Sequence, residues 1–190
     1  MPMPTLSKTM RHLLRLSLLL APLLLSQPRP VAAERAQEYL VKGAMVINMA
    51  KYVEWPQSAF AGGAGELVIC SVGRGPFAQA LEHYRGKAVL GHPVAVRHLQ
   101  TGDDVGECHM LVVSGIEKRY LAGILEQARR KSVLTVGDIP DFARLGGIVG
   151  LVEEGGRVRF EVNMKAAHQA RVKISSQLLK LARIIREGEP

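Results

Sequence analysis

Apolar and polar positions alternate most regularly over residues 157–162, which predicts a strand with two distinct faces. The apolar face carries Val158, Phe160 and Val162, and the charged face carries Arg157, Arg159 and Glu161. Asn163 ends the alternation and can cap a short helix over 164–169. A terminal helix is predicted after Ser175 and Ser176, because apolar residues then recur at the spacing of a buried stripe: Leu178, Leu181, Ala182 and Ile185.

Upstream of this region, short apolar runs that suit strands alternate with segments that suit helices. Strands are predicted over 67–72, 92–99, 110–114 and 133–136, and helices over 34–52, 76–84 and 117–131. The runs 148–152 and 158–162 flank a glycine-containing turn, which predicts a hairpin. The chain is therefore expected to be α/β: a mostly parallel sheet flanked by helices, with a C-terminal antiparallel hairpin at its edge and a buried terminal helix. We expect strand 67–72 to lie between strands 92–99 and 110–114.

The first 33 residues have the composition of a signal peptide. Lys8, Arg11 and Arg15 give a positive start, and residues 16–25 form an apolar run that is short for a membrane span. Small residues at 31–33 predict cleavage after Ala33, with an uncleaved anchor as the alternative. Residues 34–190 are then expected to form a single domain in the periplasm that does not itself span the membrane.

Removal of the predicted signal peptide changes the charge of the chain. The formal net charge is +8, and residues 1–33 contribute four cations and no acid, so the mature domain would carry +4. That charge is ordinary for a soluble domain, and no basic stripe with interleaved aromatic residues accompanies it. Nucleic acid is therefore not an expected partner.

The two cysteines, Cys70 and Cys108, fall in or beside predicted strands. In an oxidising compartment such a pair is expected to form a disulfide, with two free buried thiols as the alternative. A metal site is less favoured, because Cys108-His109 is an adjacent pair without a second pair of ligands nearby. No metal is predicted.

One short motif suggests a phosphate site. Residues 73–78 read GRGPFA between a predicted strand and helix, which fits the GxGxxA pattern of dinucleotide-binding turns. The strand that ends near Leu99 offers no acid for a ribose, and short matches of this kind arise by chance. We therefore favour a tight turn that needs glycine, and keep anion binding at Gly73, Arg74 and Gly75 as the alternative.

Other catalytic patterns are missing from the sequence. Ser114-Gly115 lacks the context of a nucleophile elbow, and the histidines show neither HExxH nor paired i, i+4 spacing. The lone Trp55 stands at a predicted helix end, where packing over the core is favoured over a binding platform. We expect no enzyme and no cofactor, although a set of residues assembled only by the fold stays open.

An ordered set of short motifs nevertheless resembles a known family. They are Tyr52 with Trp55-Pro56, the two cysteines, VLTVGD at 133–138, Phe142, GGI at 146–148, RFEVN at 159–163 and ISSQLLKLA at 174–182. Together they are similar to the YfiR family of periplasmic proteins, over nearly all of the mature chain. The better-studied members have a second cysteine pair between positions equivalent to 142 and 152, and this chain has none there. Redox control through a second bridge is therefore not expected.

The resemblance implies a regulatory binding protein. Its best-understood members repress a membrane-anchored diguanylate cyclase by binding its periplasmic sensor domain, which lowers cyclic di-GMP and affects biofilm formation. The implied partner is thus the periplasmic domain of an inner-membrane diguanylate cyclase or sensor kinase, and the implied state is a homodimer. A periplasmic small-ligand or anion-binding protein is the alternative.

The charged side of strand 157–162 is the predicted partner surface. Arg159 and Glu161 point away from the core in this prediction, and Lys165 and His168 can continue the same face across the next turn. An edge hairpin with free polar side chains can support docking of a partner. The alternative is a solvated face, since edge strands are commonly protected by charge.

Overall fold

A computed structural model describes residues 31–185 apart from 56, 61–64 and 117. The predicted signal peptide lies outside these residues except for 31–33, which begin the first helix, so its cleavage stays a prediction. Within the described residues, no helix is both long enough and apolar enough to cross a membrane. The chain from Ala36 onward forms one compact unit, and the contacts discussed below lie within it.

Helices and strands alternate along most of the described chain. The helices are α1 (Val31–Ala50), a 3-10 helix (Gln57–Phe60), α2 (Pro76–Glu82), α3 (Lys118–Arg130), α4 (Met164–Gln169) and α5 (Ser176–Leu179). The main sheet contains β2 (Leu67–Gly73), β3 (Ala88–Val89), β4 (His92–Leu99), β5 (Met110–Ser114), β6 (Leu134–Gly137), β7 (Val149–Glu154), β8 (Arg157–Asn163) and β10 (Arg183–Ile185). A separate ribbon pairs β1 (Val53–Glu54) with β9 (Lys173–Ile174) in antiparallel fashion.

Parallel pairing dominates the eight-stranded sheet, whose order is β10-β8-β7-β6-β5-β2-β4-β3. Strand β2 lies between β4 and β5 and runs parallel to both, as predicted. Strands β7 and β8 form the predicted antiparallel hairpin, in which Leu151 faces Phe160 across the pair. The α/β class and the mostly parallel sheet are thus confirmed.

The two faces of the sheet bury two apolar clusters. Along β2, Leu67 and Ile69 enter the larger cluster, while Val68, Cys70 and Val72 enter the smaller one. The larger cluster also takes up residues of α1, α2, β8 and α4, and the smaller one takes up the apolar side of α3. Because successive strand residues point to opposite faces, helices cover the sheet on both sides.

A buried lysine fastens α1 to the carboxyl end of β6. The Lys42 amine lies 2.6 Å from a Glu38 carboxylate oxygen on the same helix and 3.1 Å from Asp138 Oδ2. Lys42 is only 7% exposed, so its charge needs both of these carboxylates. The pairing fixes the position of α1 beside the loop that follows β6.

The predicted terminal helix is wrong beyond its first turn. Helix α5 ends at Leu179 and the chain then pairs with β8 as strand β10, while Leu181 is 75% exposed instead of buried. Leu178 is buried as predicted. The strand is favoured over a longer helix because pairing with β8 satisfies backbone groups of both segments. In this arrangement Ile184 also packs against the larger cluster.

The expectation of an outward-facing Glu161 on an edge hairpin is also wrong. Strand β8 lies between β7 and β10, so the hairpin is not at the edge of the sheet. Glu161 is 4% exposed and accepts a hydrogen bond from the Arg183 guanidinium of β10. It does point away from Phe160, but neighbouring chain covers that side, with Glu161 and Ala143 both approaching Gly150. Pairing with a cation permits this burial.

Candidate functional site

A cleft of about 670 Å³ opens at the amino-terminal ends of the central parallel strands, and we name it the amino-edge cleft. Its wall includes Val68 near the start of β2, His109 just before β5 and Ser132 just before β6. The β1 segment with Trp55 and the chain after α4 with Arg171 complete it. A volume of this size accommodates a drug-sized molecule or part of a partner chain.

The predicted disulfide is confirmed and forms part of this region. Cys70 in β2 and Cys108 before β5 are bonded, with their Cα atoms 5.7 Å apart. Cys108 lines the amino-edge cleft, and both cysteines belong to the smaller apolar cluster. The bridge therefore fixes the chain that carries the next residue, His109, to the middle of the sheet.

Both ring nitrogens of His109 are used within the fold. The Val68 N–H donates to His109 Nδ1 at 3.0 Å, and His109 Nε2 lies 2.9 Å from the carbonyl oxygen of Ala59 in the 3-10 helix. Since Nδ1 accepts, the proton sits on Nε2 and donates to Ala59. Burial lowers the pKa of His109, the hydrogen bond to Ala59 partly opposes this, and nearby His92 lowers it further, so the net shift is downward and the neutral ring is favoured.

Aromatic rings continue from His109 toward the rim. The Trp55 and His109 rings meet edge to face with centroids 5.6 Å apart, and the Trp55 indole N–H donates to the Ala50 carbonyl at 3.0 Å. Phe60 stacks with His109 at 4.9 Å and with His92 at 3.7 Å. His92 Nδ1 in turn lies 2.6 Å from the Gly65 carbonyl oxygen. The predicted packing of Trp55 over the core is confirmed, since the half-buried ring lies against the larger cluster, and the same residue also lines the cleft.

Charged side chains of both signs surround these rings. Three basic and three acidic residues line the cleft: Arg97, Lys131, Arg171, Glu54, Glu66 and Glu107. Arg97 pairs with Glu107, and Glu54 lies 3.7 Å from Lys173. The cleft thus combines the Trp55 and His109 rings with charged residues whose formal charges balance.

Two residues of this rim adopt a left-handed backbone that favours glycine. Ser132 follows α3 with φ 57°, and Arg171 follows α4 with φ 56°. In both cases the next N–H closes the helix end by donating to a carbonyl five residues back, from Val133 to Ala128 and from Val172 to Ala167. A side chain at such a position costs about 1 kcal/mol relative to glycine. The chain keeps a hydroxyl and a guanidinium at two cleft positions where glycine would be more stable.

The predicted anion site lies at the opposite, carboxyl-terminal edge of the sheet. Gly73 has φ 105°, and a Cβ there would lie 1.8 Å from the Ser114 carbonyl oxygen, so close approach of two loops requires glycine. The space beside Gly73, Arg74 and Gly75 is about 10 Å³, enough for one water molecule at most. This agrees with the favoured tight turn, and anion binding there stays a prediction.

The fold also assembles a set that the sequence did not reveal. Ser71 Oγ lies 2.7 Å from His98 Nδ1, and His98 Nε2 lies 2.6 Å from Glu82 Oε1. A hydrogen bond from Arg85 lowers the pKa of Glu82, with a further contribution from His98. The order resembles a serine–histidine–acid triad, but Ser71 is 7% exposed and borders the same 10 Å³ space. No acyl substrate fits there, so the network ties β2 to β4 and α2.

The residues of the predicted partner surface do not form one face. Arg159 points to the side of β8 opposite Phe160 and lies 3.4 Å from Glu154. Lys165 and His168 are exposed on α4, whose alanines pack in the same cluster as Phe160. Arg159 and α4 therefore lie on opposite sides of the sheet, and Glu161 is buried. Partner binding by Arg159, Lys165 and His168 stays a prediction.

Comparison with known proteins adds a family and a fold. A family model described as YfiR/HmsC-like matches residues 39–183. A crystal structure of a conserved domain protein from Vibrio cholerae O1 biovar El Tor is similar with a TM-score of 0.53 at 13% identity, covering 78% of this chain and 60% of that one. A structure of the ABC domain in complex with L-Trp from Streptococcus pneumoniae has a TM-score of 0.48 at 10% identity, covering 73% of this chain and 59% of that one. The chain thus spans about three-fifths of each solved relative, and the first likeness supports the fold alone.

Proposed function

The chain belongs to the YfiR/HmsC-like family, and from this membership we propose that it represses a membrane-anchored diguanylate cyclase by binding the cyclase's periplasmic sensor domain. The match over residues 39–183 carries the proposal, because it covers the whole sheet except the last two residues of β10. Members of this family are periplasmic regulators. Repression would lower cyclic di-GMP and with it biofilm formation, and a sensor kinase is the alternative partner.

The disulfide supports a periplasmic location for this activity. Disulfides persist in oxidising compartments and are rare in the cytosol, and Cys70 and Cys108 are bonded in the fold. We expect the protein to lose most of its repression when it is produced without residues 1–33 and so kept from export. A strain that carries a candidate cyclase and a cyclic di-GMP reporter measures this. Equal repression by the exported and non-exported forms would contradict a periplasmic site of action.

The outer edge of β10 is the partner surface that the fold now supports. Strand β10 ends the sheet order, and among the described residues no strand pairs with its outer side. Such an edge presents backbone donors and acceptors to which a partner strand can add. Arg183 of this strand donates hydrogen bonds to Glu154 and Glu161, which offset its positive charge. The edge therefore opposes the approach of a partner strand less than it would if this cation were unpaired.

An exposed apolar side chain adjoins this edge. Leu181 precedes β10 and is 75% exposed, the highest value among the large apolar residues that the structure describes as exposed. We expect Leu181→Asp to weaken binding of a purified sensor domain about tenfold or more, because a partner would have to bury the introduced carboxylate. The free energy of unfolding should stay within about 0.5 kcal/mol, as for other surface changes.

Leu90 offers a matched control for this substitution. It is 56% exposed and lies beside β3, at the opposite end of the sheet. Leu90→Asp should leave sensor-domain affinity and cyclic di-GMP unchanged. If both variants bind like the parent protein, the β10 edge is not the contact. A second copy of the chain is also expected to bind, as the family resemblance implies a homodimer, and light scattering on the eluted protein measures that state.

Small-ligand binding is a second candidate function, and the amino-edge cleft favours it. The cleft retains side chains at Ser132 and Arg171, where the left-handed backbone favours glycine. Retaining a costly conformation is more common at binding sites than elsewhere. We expect Ser132→Gly and Arg171→Gly to raise the melting temperature of the free protein while abolishing any ligand-induced thermal shift. A ligand whose shift survives both changes binds elsewhere.

A further inference from the structure

His109 joins two separate parts of the fold through a single uncharged ring. Its backbone N–H donates to the Val68 carbonyl at 2.9 Å, while its Nδ1 accepts from the Val68 N–H at 3.0 Å. Its Nε2 donates to Ala59 in the 3-10 helix. The imidazole therefore provides a hydrogen-bonded link between the start of β2 and the 3-10 helix (Gln57–Phe60), and Phe60 stacks against it.

A second proton cannot be added to this ring without breaking the link. The proton would have to sit on Nδ1, where it faces the Val68 N–H, so an acceptor would become a donor opposite another donor. The residue His109 is also only 9% exposed, and this burial penalises a charge on its ring. The Val68 N–H would then lose its side-chain acceptor at a buried position.

The charges around His109 do not offset this penalty. His92 stacks on Phe60, as His109 does, and its electrostatic influence lowers the pKa of His109. The cleft wall presents Glu54, Glu66 and Glu107 against Arg97, Lys131 and Arg171, three acids and three bases. The formal charges of these cleft residues cancel, so the lining carries no net negative charge that would stabilise a protonated imidazole.

We propose that His109 is a proton-sensitive joint, whose protonation in mild acid detaches the 3-10 helix from β2 and dismantles one wall of the amino-edge cleft. The joint is a property of the fold. Its use as a signal rests on the proposed function, since the periplasm exchanges protons with the surroundings more freely than the cytoplasm does. A regulator with this joint would change its cleft when the surroundings acidify.

The direction and size of the effect follow from proton linkage. The pKa of His109 is lowered in the joined state, whereas the detached ring regains the ordinary value of about 6.5. Above about pH 6.5 both states are neutral, and the joint has its full strength. Below it, the detached state gains up to about tenfold in relative population per pH unit, which makes about tenfold the upper limit at pH 5.5. The shift toward the detached state stops growing once the pH falls below the pKa of His109 in the joined state.

Amide hydrogen exchange of Val68 tests this directly in the full-length exported protein. We expect its protection, corrected for the intrinsic exchange rate, to fall between pH 7.5 and 5.5, by up to about tenfold. Val112, at the centre of the sheet with 0% exposure, should keep its protection and serves as the reference amide. Constant protection of Val68 over this range would overturn the proposal.

Two substitutions separate His109 from the other histidines. His109→Gln cannot take up a proton, so the pH dependence of exchange at Val68 should vanish. His92→Gln should leave it in place, because His92 contacts Phe60 and the Gly65 carbonyl and makes no hydrogen bond to the Val68 N–H. Retained pH dependence in His109→Gln would overturn the proposal. Sensor-domain binding at pH 7.5 tests the proposed function separately, since the joint is intact there.

Discussion

Removing the charge partner of Glu161 should destabilise the domain although the altered residue lies at the surface. The Glu161 side chain is 6% exposed, and that of Arg183 is 56% exposed. Arg183→Ala therefore leaves a buried carboxylate without its cation. Removing one partner of a fully buried pair costs about 3–5 kcal/mol. Because Arg183 is half in water and its attraction is screened, we reduce this to about 1–3 kcal/mol.

Glu161→Gln tests whether charge or shape matters at this position. The amide has the same size and can still accept a hydrogen bond from Arg183, so we expect a loss of about 1 kcal/mol. Glu161→Arg should lower the free energy of unfolding more than Arg183→Ala or Glu161→Gln does, since it places a second cation beside Arg183 in a buried position. The free energy of unfolding from urea titration, at constant slope, gives these values.

A double substitution completes the cycle. With Glu161→Gln already in place, Arg183→Ala should cost clearly less than it does in the parent protein, because no buried carboxylate is left behind. Full additivity of the two changes would show that the ion pair contributes nothing. If Glu161→Arg left the stability unchanged, the burial of the Glu161 side chain beside Arg183 would itself be wrong.

Further expectations concern the bridge, the close loop contact and the core. Cys70→Ser should lower the free energy of unfolding by about 4 kcal/mol on the chain-entropy model for a separation of 38 residues, measured against the non-reduced parent. Gly73→Ala should prevent stable folding, since its Cβ would meet the Ser114 carbonyl oxygen at 1.8 Å, whereas Gly123→Ala, in open space on α3, should gain about 0.5–1 kcal/mol. Phe160→Ala should cost about 3–5 kcal/mol by calorimetry or urea titration, and a loss below 1 kcal/mol would show that its ring is not part of the core.

The sequence predicted those parts of the fold that depend on local pattern and on export. The alternation over 157–162 predicted the β7–β8 hairpin, and the separated apolar runs predicted the strands around Cys70. The bridge to Cys108 followed from the expected compartment. These features are encoded by neighbouring residues or by a general chemical condition, so one sequence suffices to recognise them.

The errors have a common origin in contacts between distant segments. Leu178 to Ile185 has helical spacing, but its run is short enough for helix and strand to compete, and the free side of β8 decided the outcome. The burial of Glu161 depends on Arg183, which the alternation of its own strand cannot show. The amino-edge cleft joins Trp55, His109 and Arg171 from separate parts of the chain. The adjacency of His109 to Cys108 was the one local signal for it.

The disulfide also determines how the domain would respond to mechanical tension. A force applied through the two chain ends passes across the sulfur–sulfur bond and bypasses the residues between Cys70 and Cys108. An oxidised molecule pulled to full extension should therefore be shorter than a reduced one by roughly 130 Å, from 38 residues at about 3.4 Å each. A protease that cuts once between Cys70 and Cys108 would likewise leave the two fragments joined by the disulfide. Strands β3 and β4 and helix α2, which lie between the two cysteines, are shielded from tension that the rest of the sheet must carry.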